Sequence, residues 1–521
     1  MSEHRHLLKS ASLISAFTVL SRIFGYIRDS RIAFLLGAGA AADAYTTAYR
    51  IPNLLRRLVA EGAVSAAFIP VFSRYLAENK KEDAWEFADT MLTLLTIFLT
   101  AFTLIGIIFS PLIVRLFASG FGGTPGKLEL TATLNRIMFP YIFLISISAL
   151  AMGILNSFHR FGPPAFSPVV LNLTMIAFSF LGGVFGDVTR TLAVGVVVGG
   201  MLQLAIQVPQ LLQSGWKIQF KIDLSNPGVR HIGKLMVPVI FGVGIVQINM
   251  LVDTQFASYL QEGSVTAIYI ADRVMELVLG GYAVALSTVI LPILSRQAVL
   301  RQIDELKTTL NFAARIILFV TFPATVGLII LRREIIEVLF QHGDFNAAST
   351  ALTVRALPFF AIGLSAFSMV KIIVPAFYAL QDTRTPVKIA FVAMFLNIGL
   401  NFLLIRPLQN GGPALATSVS AFFNSFSLLA IFYRRHGSFG VWSIVQSALK
   451  FGVASIALGL VAYTVIHWPG FYAGRLTQKT VALAITIGAG AATYFTAASL
   501  LNTRELAELN AVRAARVVAD D

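Results

Sequence analysis

The chain has 521 residues, of which 56% are hydrophobic and 13% charged, with no cysteine, and its mean hydropathy is +0.77. That profile excludes an ordinary soluble domain and, with many apolar runs long enough to span a bilayer, defines an all-α polytopic membrane protein. The formal net charge of +14 comes from basic residues scattered between spans and not gathered in a stripe, so no nucleic acid partner is implied, and the missing cysteines exclude disulfides, thiolate metal sites and cysteine nucleophiles.

Apolar runs predict about fourteen spans, near 10–36, 42–73, 86–118, 130–156, 164–186, 190–214, 232–260, 265–295, 308–331, 346–379, 385–405, 411–434, 446–468 and 479–501. The N-terminus lacks a cleavable pattern, so the first run is a retained span. With that end inside, the inner loops carry roughly twenty Lys and Arg against about seven outside, which places both termini in the cytoplasm; Arg332 and Arg333 are the exceptions.

The stretch from Ser21 to Arg74 covers the first two spans yet carries Arg22, Arg28, Asp29, Arg31, Asp43, Arg50, Arg56, Arg57 and Glu61. Each charge at a bilayer centre costs roughly 2.5–3.5 kcal/mol on insertion scales, so such a set must face a wet cavity or one another. Gly37 to Ala42 is a turn of small residues, and at about 1.5 Å per residue Arg22 and Arg57 both fall roughly 21–22 Å below it. Asp43, Arg50, Arg57 and Glu61 share one helix face, and Gly25 and Pro52 interrupt the two helices, as residues lining a cavity often do.

Short motifs repeat at offsets near 220 residues. Ile69-Pro70-Val71-Phe72-Ser73-Arg74 returns as Leu291-Pro292-Ile293-Leu294-Ser295-Arg296, and Phe139-Pro140-Tyr141 as Leu357-Pro358-Phe359. A six-span unit repeated once gives two lobes related by a pseudo-two-fold along the membrane normal, with two extra C-terminal helices. The predicted divisions are an N-lobe (1–215), a linker (216–231), a C-lobe (232–437), the last two spans (438–502) and a tail (503–521). Trp216, Lys217 and Lys221 in the linker suit either a helix on the inner surface or a solvated loop.

The second lobe answers the first with Asp272, Arg273 and Glu276. Across the charged helices arginines outnumber acids seven to five, and the planar guanidinium fork suits phosphate oxygens. Arg22, Arg28, Arg56, Arg57 and Arg273 are therefore candidate anion ligands, supported by Ser21, Gly25, Asp29, Asp43, Glu61, Asp272 and Glu276. A purely structural role, as ion pairs joining helices, stands beside that reading. Asp253 in the seventh span, with Asn397, Asn401 and Thr417, forms a candidate Na⁺ or H⁺ site, for which hydrogen bonding between helices is the alternative. Lys371 lies within the tenth span, and Gln381 to Pro386 is assigned only a structural turn.

With these motifs in view the chain resembles the MurJ/MviN family of lipid II flippases, in the MOP exporter superfamily. The resemblance covers nearly the whole chain and rests on Ser21-Arg22-Ile23-Phe24-Gly25-Tyr26-Ile27-Arg28-Asp29, Asp43-Ala44-Tyr45, Pro52-Asn53-Leu54-Leu55-Arg56-Arg57, Ala60-Glu61-Gly62-Ala63, Ala271-Asp272-Arg273 and Gln381-Asp382-Thr383-Arg384-Thr385-Pro386. It implies essential cavity roles for Arg22, Arg28, Asp43, Arg56, Arg57 and Arg273, and a groove for a lipid tail at the last two helices. It also implies a cargo, undecaprenyl-diphosphate carrying the peptidoglycan disaccharide-pentapeptide, moved across a bacterial inner membrane by alternating access. Membrane lipids and cell-wall synthesis proteins are the expected partners, with the membrane potential, Na⁺ or H⁺ as energy source and no other cofactor. The rival readings are an exporter of another polyprenyl-diphosphate-linked glycan, a scaffold, and a membrane enzyme acting on polyprenyl phosphates. For the enzyme the chain shows no clustered acids, paired histidines or nucleophile with a base.

Overall fold

The computed structural model describes residues 2–56, 65–506 and 508, and among them there is no β-strand. They divide into two compact units, 1–266 with 342–345, and 267–341 with 346–521.

The first unit holds α1 (Ser2–Leu36), α2 (Ala40–Arg56), α3 (Ser65–Ala77), α4 (Lys81–Ile108), α5 (Ser110–Phe117), α6 (Lys127–Met138), α7 (Tyr141–Ser157), α8 (Gly162–Ser179), α9 (Val188–Ala205), α10 (Val208–Gln213) and α11 (Pro227–Ala257). The long α12 (Ser264–Val299) starts in it and continues into the second unit. The second unit adds α13 (Ile303–Ile330), α14 (Arg332–Phe340), α15 (Ala347–Ala379), α16 (Arg384–Leu408), α17 (Gly411–His436), α18 (Val441–Ile466) and α19 (Leu476–Leu500).

Local chemistry sets several boundaries. Asp187, Asn226 and Asn346 cap α9, α11 and α15, each side chain accepting a backbone N–H of the first turn, which satisfies donors that a helix start leaves unpaired. Proline stands at the first or second position of α5, α8, α10 and α11, where its missing N–H costs nothing. Among the described residues ten helical stretches are long and apolar enough to cross a membrane. The predicted second span, 42–73, covers α2 and α3, with residues 57–64 outside the described part.

The core of the first unit is aromatic. Phe68 stacks on Phe87 at 5.2 Å, Trp85 on Phe158 at 5.5 Å, and Trp85 on Trp216 at 5.9 Å. A second cluster packs Tyr45 and Ala48 of α2 against Leu134, Tyr141 and Leu192. In the second unit α18 packs against α13 and α19, around buried Phe319, Phe451 and Tyr494; the Tyr494 hydroxyl donates to the Phe319 carbonyl at 2.7 Å.

The two copies of the Pro70 motif both lie inside helices, α3 and α12, whereas the two copies of the Pro140 motif adopt different local structures. Phe139-Pro140 separates α6 from α7, whereas Leu357-Pro358 lies inside the continuous α15. Between Trp216 and Asp223 the linker is not helical, and the N–H groups of Gln219 and Lys221, two residues apart, both face α4, as in an extended run.

Candidate functional site

Arg28 is the centre of the charged stretch. It sits on α1, seven-hundredths exposed, and every bond around it compensates a charge removed from water. Its Nη2 and Nε donate to Asp29 Oδ1 at 2.6 and 2.9 Å. Nη1 donates to Asn172 Oδ1 at 2.9 Å and to the Tyr49 hydroxyl at 3.4 Å. Asn172, on α8, uses the other end of its amide to donate to the Ser21 carbonyl at 3.0 Å. One neutral side chain thus fixes the guanidinium and ties it to the α1 backbone two turns away. Such ionic hydrogen bonds are roughly twice as strong as neutral ones. Gly25 lies beside Asn172; a Cβ there would meet Nδ2 at 3.5 Å, an ordinary contact.

Asp43, at the start of α2, is fully enclosed. Lys127 Nζ reaches its Oδ2 at 2.9 Å, the Gly263 N–H donates to Oδ2 at 2.8 Å, and the Thr266 N–H and hydroxyl both donate to Oδ1 at 2.9 Å. The carboxylate is therefore an N-terminal cap for α12, where negative charge also suits the helix dipole. Gly263 has φ +86°, and a Cβ there would meet the Ala38 carbonyl at 2.2 Å, so only glycine fits that turn. One face further along α2, Arg50 donates to the Thr254 hydroxyl at 2.7 Å.

The other predicted residues differ in setting. Arg22 is exposed. Arg56 donates to Asn53 Oδ1 at 2.8 Å and is half-buried. Arg57 and Glu61 lie outside the described residues. In the second unit Arg273 pairs with Glu276 at 2.6 Å and lies 5.0 Å from the Tyr269 ring centroid, with Asp272 half-buried beside it. This pair is the i, i+3 arrangement expected of an ion pair on one helix face.

The candidate cation ligands fall into two groups. Asn397 Nδ2 donates to the Thr417 hydroxyl at 3.0 Å, and Asn401 Nδ2 donates to Asn397 Oδ1 at 3.1 Å, all within the second unit. Asp253 lies in the first unit, on α11 beside Thr254. Among the described residues no cluster of three or more His, Cys, Asp or Glu is arranged to hold a metal ion.

Among the partners that escaped the sequence reading are Asn172, Lys127 and Arg315. Arg315, buried on α13, pairs with Glu505 at 2.5 Å and with Glu508 at 3.3 Å, and Ser447 donates to Glu505 at 2.7 Å. Asn172 is neutral and Lys127 reads as an ordinary loop cation, so composition alone does not mark either; Arg315, sitting deep within an apolar run, was the one detectable signal. At the turn before α16, burial pushes the Asp382 carboxyl up. The Thr385 hydroxyl and N–H and the Arg435 guanidinium outweigh that and hold it below its ordinary range.

A polytopic helical chain with partnered charge inside its spans is the form of a membrane transporter. The fold is shared with an inward-facing multidrug-resistance MATE family transporter of the MOP superfamily, which superimposes with a TM-score of 0.66 at 14% identity, over 81% of this chain and 94% of that one. The sequence narrows this further. The profile of the family described as "Lipid II flippase MurJ" matches residues 32–496. A Vibrio cholerae protein described as a probable lipid II flippase MurJ is 37% identical, over 96% of this chain and 97% of its own. A Burkholderia cenocepacia lipid II flippase MurJ is 34% identical, over 89% and 90%. A solved structure titled "Lipid II flippase MurJ, inward closed conformation" matches with a TM-score of 0.79 at 28% identity, over 94% of this chain and 98% of that one. The chain belongs to the MurJ lipid II flippase family.

Proposed function

We propose that this protein carries lipid II across the membrane by alternating access, with its diphosphate taken by arginines. It is a multi-pass membrane flippase, a transporter and not an enzyme, and lipid II is the substrate of its family. The observation that supports the arginine reading is Arg28. A cation on α1, the first span expected from the sequence, is kept buried by Asp29, Tyr49 and Asn172, and retaining it within a membrane is costly without a function. Arg22, exposed on the same helix, and Arg56 are the further diphosphate ligands proposed for the first unit, together with Arg57. Arg273 is proposed for the second unit, where Glu276 holds it until an anion competes.

The finer features remain part of this proposal: fourteen spans in two six-helix lobes divided as the sequence suggests, both termini cytoplasmic, a tail groove at α18 and α19, and docking of cell-wall synthesis proteins. The energy source is proposed to be the membrane potential, worth about 2.3 kcal/mol per charge per 100 mV, or a cation or proton at Asp253. Asn397, Asn401 and Thr417 are neutral and bond one another, so a hard cation would find no carboxylate among them. Transport that ignores Na⁺ and survives Asp253→Asn would remove the ion.

The deciding experiment depletes the protein in its host and assays lipid II on each face of the inner membrane. Accumulation on the cytoplasmic face, rescued by the wild type and not by Arg28→Glu or Arg273→Glu variants that reach the membrane, is expected. Unchanged lipid II sidedness, with another polyprenyl-linked glycan accumulating, would overturn the cargo; full rescue by both variants would overturn the arginine role.

A further inference from the structure

The segment between α10 and α11 has side chains of alternating character: Lys217, Gln219, Lys221 and Asp223 in one row, Ile218, Phe220, Ile222 and Leu224 in the other. In an extended chain, successive side chains point to opposite faces. The apolar row is exposed, Phe220 by 78% and Ile222 and Leu224 by 62% each. Large apolar side chains concentrated this way mark a surface with a partner.

The segment is nevertheless not a loose loop. Trp216 Nε1 donates to Asp89 Oδ1 at 2.8 Å, and the Gln219 N–H donates to the same oxygen at 3.0 Å. The Lys221 N–H donates to the Thr93 hydroxyl at 3.1 Å, and its ammonium pairs with Glu86. Two turns and more of α4 therefore hold the strap along its length, and Trp216 is buried against Trp85.

The position of those anchors along α4 fixes the depth. A hydrocarbon core about 30 Å thick takes about 20 residues of helix at 1.5 Å each. Counted back from Ile108, where α4 ends, that length reaches Asp89. The exposed apolar surface of α4 runs through Ile97, Phe98, Leu104, Ile105 and Ile108, and so begins one turn beyond Thr93. The charged run Lys80-Lys81-Glu82-Asp83 precedes it on the water side. The strap thus lies where acyl chains give way to headgroups, the level at which tryptophans gather. Its apolar row continues the lipid-facing surface of α4, and its lysines stand where such side chains extend toward headgroups.

We propose that residues 217–224 form a fixed amphipathic strap embedded in the interface of one membrane leaflet, with Ile218, Phe220, Ile222 and Leu224 inserted among acyl chains. It is the extended-chain counterpart of an interfacial helix. Its occupant is the lipid surface and not a second protein, because the row is continuous with the bilayer-facing side of a spanning helix.

The lack of cysteine makes the test direct. Phe220→Cys, Ile222→Cys and Gln219→Cys are each labelled with bimane in the full-length protein. The purified proteins are reconstituted in vesicles of phosphatidylglycerol and brominated phosphatidylcholine. Labels on Phe220→Cys and Ile222→Cys are expected to lose most of their fluorescence to the brominated chains and to resist aqueous iodide. The label on Gln219→Cys is expected to show weaker quenching by lipid and stronger quenching by iodide. Iodide quenching at all three positions without bromolipid quenching would overturn the strap as a solvated loop. Shielding of both apolar-row labels from both quenchers would overturn it in favour of a protein-covered surface.

Discussion

The two units share repeated motifs but place their buried charge differently. In the first, ionic groups are enclosed between helices: Arg28 on α1 with Asp29 and Asn172, and Asp43 at the start of α2 with Lys127 and the start of α12. In the second, Arg273 and Glu276 are about a third exposed, and the fully enclosed pair is Arg315 with Glu505, contributed by the segment after α19. A repeated architecture therefore does not fix where charge is stored. The first unit commits it to helix positions within one bundle, the second to the join between the bundle and its C-terminal segment.

Removing single partners tests this contrast. Lys127→Ala is expected to have the largest effect, because Asp43 would stay buried with its counter-ion gone; breaking such a pair costs about 3–5 kcal/mol, read as a lowered melting temperature in detergent. Arg315→Ala should cost less, about 2–3 kcal/mol, since one of its two carboxylates, Glu508, is already 40% exposed and can keep its hydration. Faster proteolysis confined to the C-terminus would report release of the segment after α19, and a loss equal to that of Lys127→Ala would erase the distinction. Asn172→Ala removes an acceptor from Arg28 and a donor from Ser21 and should lower lipid II affinity about tenfold, equivalent to about 1.4 kcal/mol; unchanged binding would mean Arg28 does not need that brace. Arg273→Ala should change stability by no more than about 1 kcal/mol, as for a partly exposed pair, while abolishing rescue of growth.

The smallest effect concerns pH. The Asp382 carboxyl titrates below its ordinary value of 3.8 in the folded protein, so its contribution is complete above that value and is lost as pH falls through the lower, folded one. Melting temperatures of the wild type and Asp382→Asn should converge in acid and separate, with the wild type higher, toward neutral pH.

The class of protein was legible from the apolar runs, and the charges within them drew attention to Arg28, Asp29 and Asp43, which the structure encloses with partners. The partners were not. Asn172 lies 144 residues from Arg28 and Lys127 lies 84 from Asp43, and helical periodicity says which residues share a face but not which helix that face meets. The carboxylate of Asp43 was visible as a charge, whereas its use as a cap for α12 depends on a turn 220 residues away. In the linker the two-residue alternation was present in the sequence, but Trp216 and the lysines suited a surface helix equally well. Anchors on α4 decide for the extended form, since Asp89 and Thr93 offer the backbone N–H groups acceptors outside any helix.

The pairing of Arg315 with Glu505 also orders events in time. The two residues are 190 positions apart, which at 5–20 residues per second separates their synthesis by about 10–40 s. For most of that interval Arg315 is outside the ribosome while its carboxylate does not yet exist. Full pairing of Arg315 must therefore wait for the segment after α19, and a chain stopped before it would leave that guanidinium without either carboxylate.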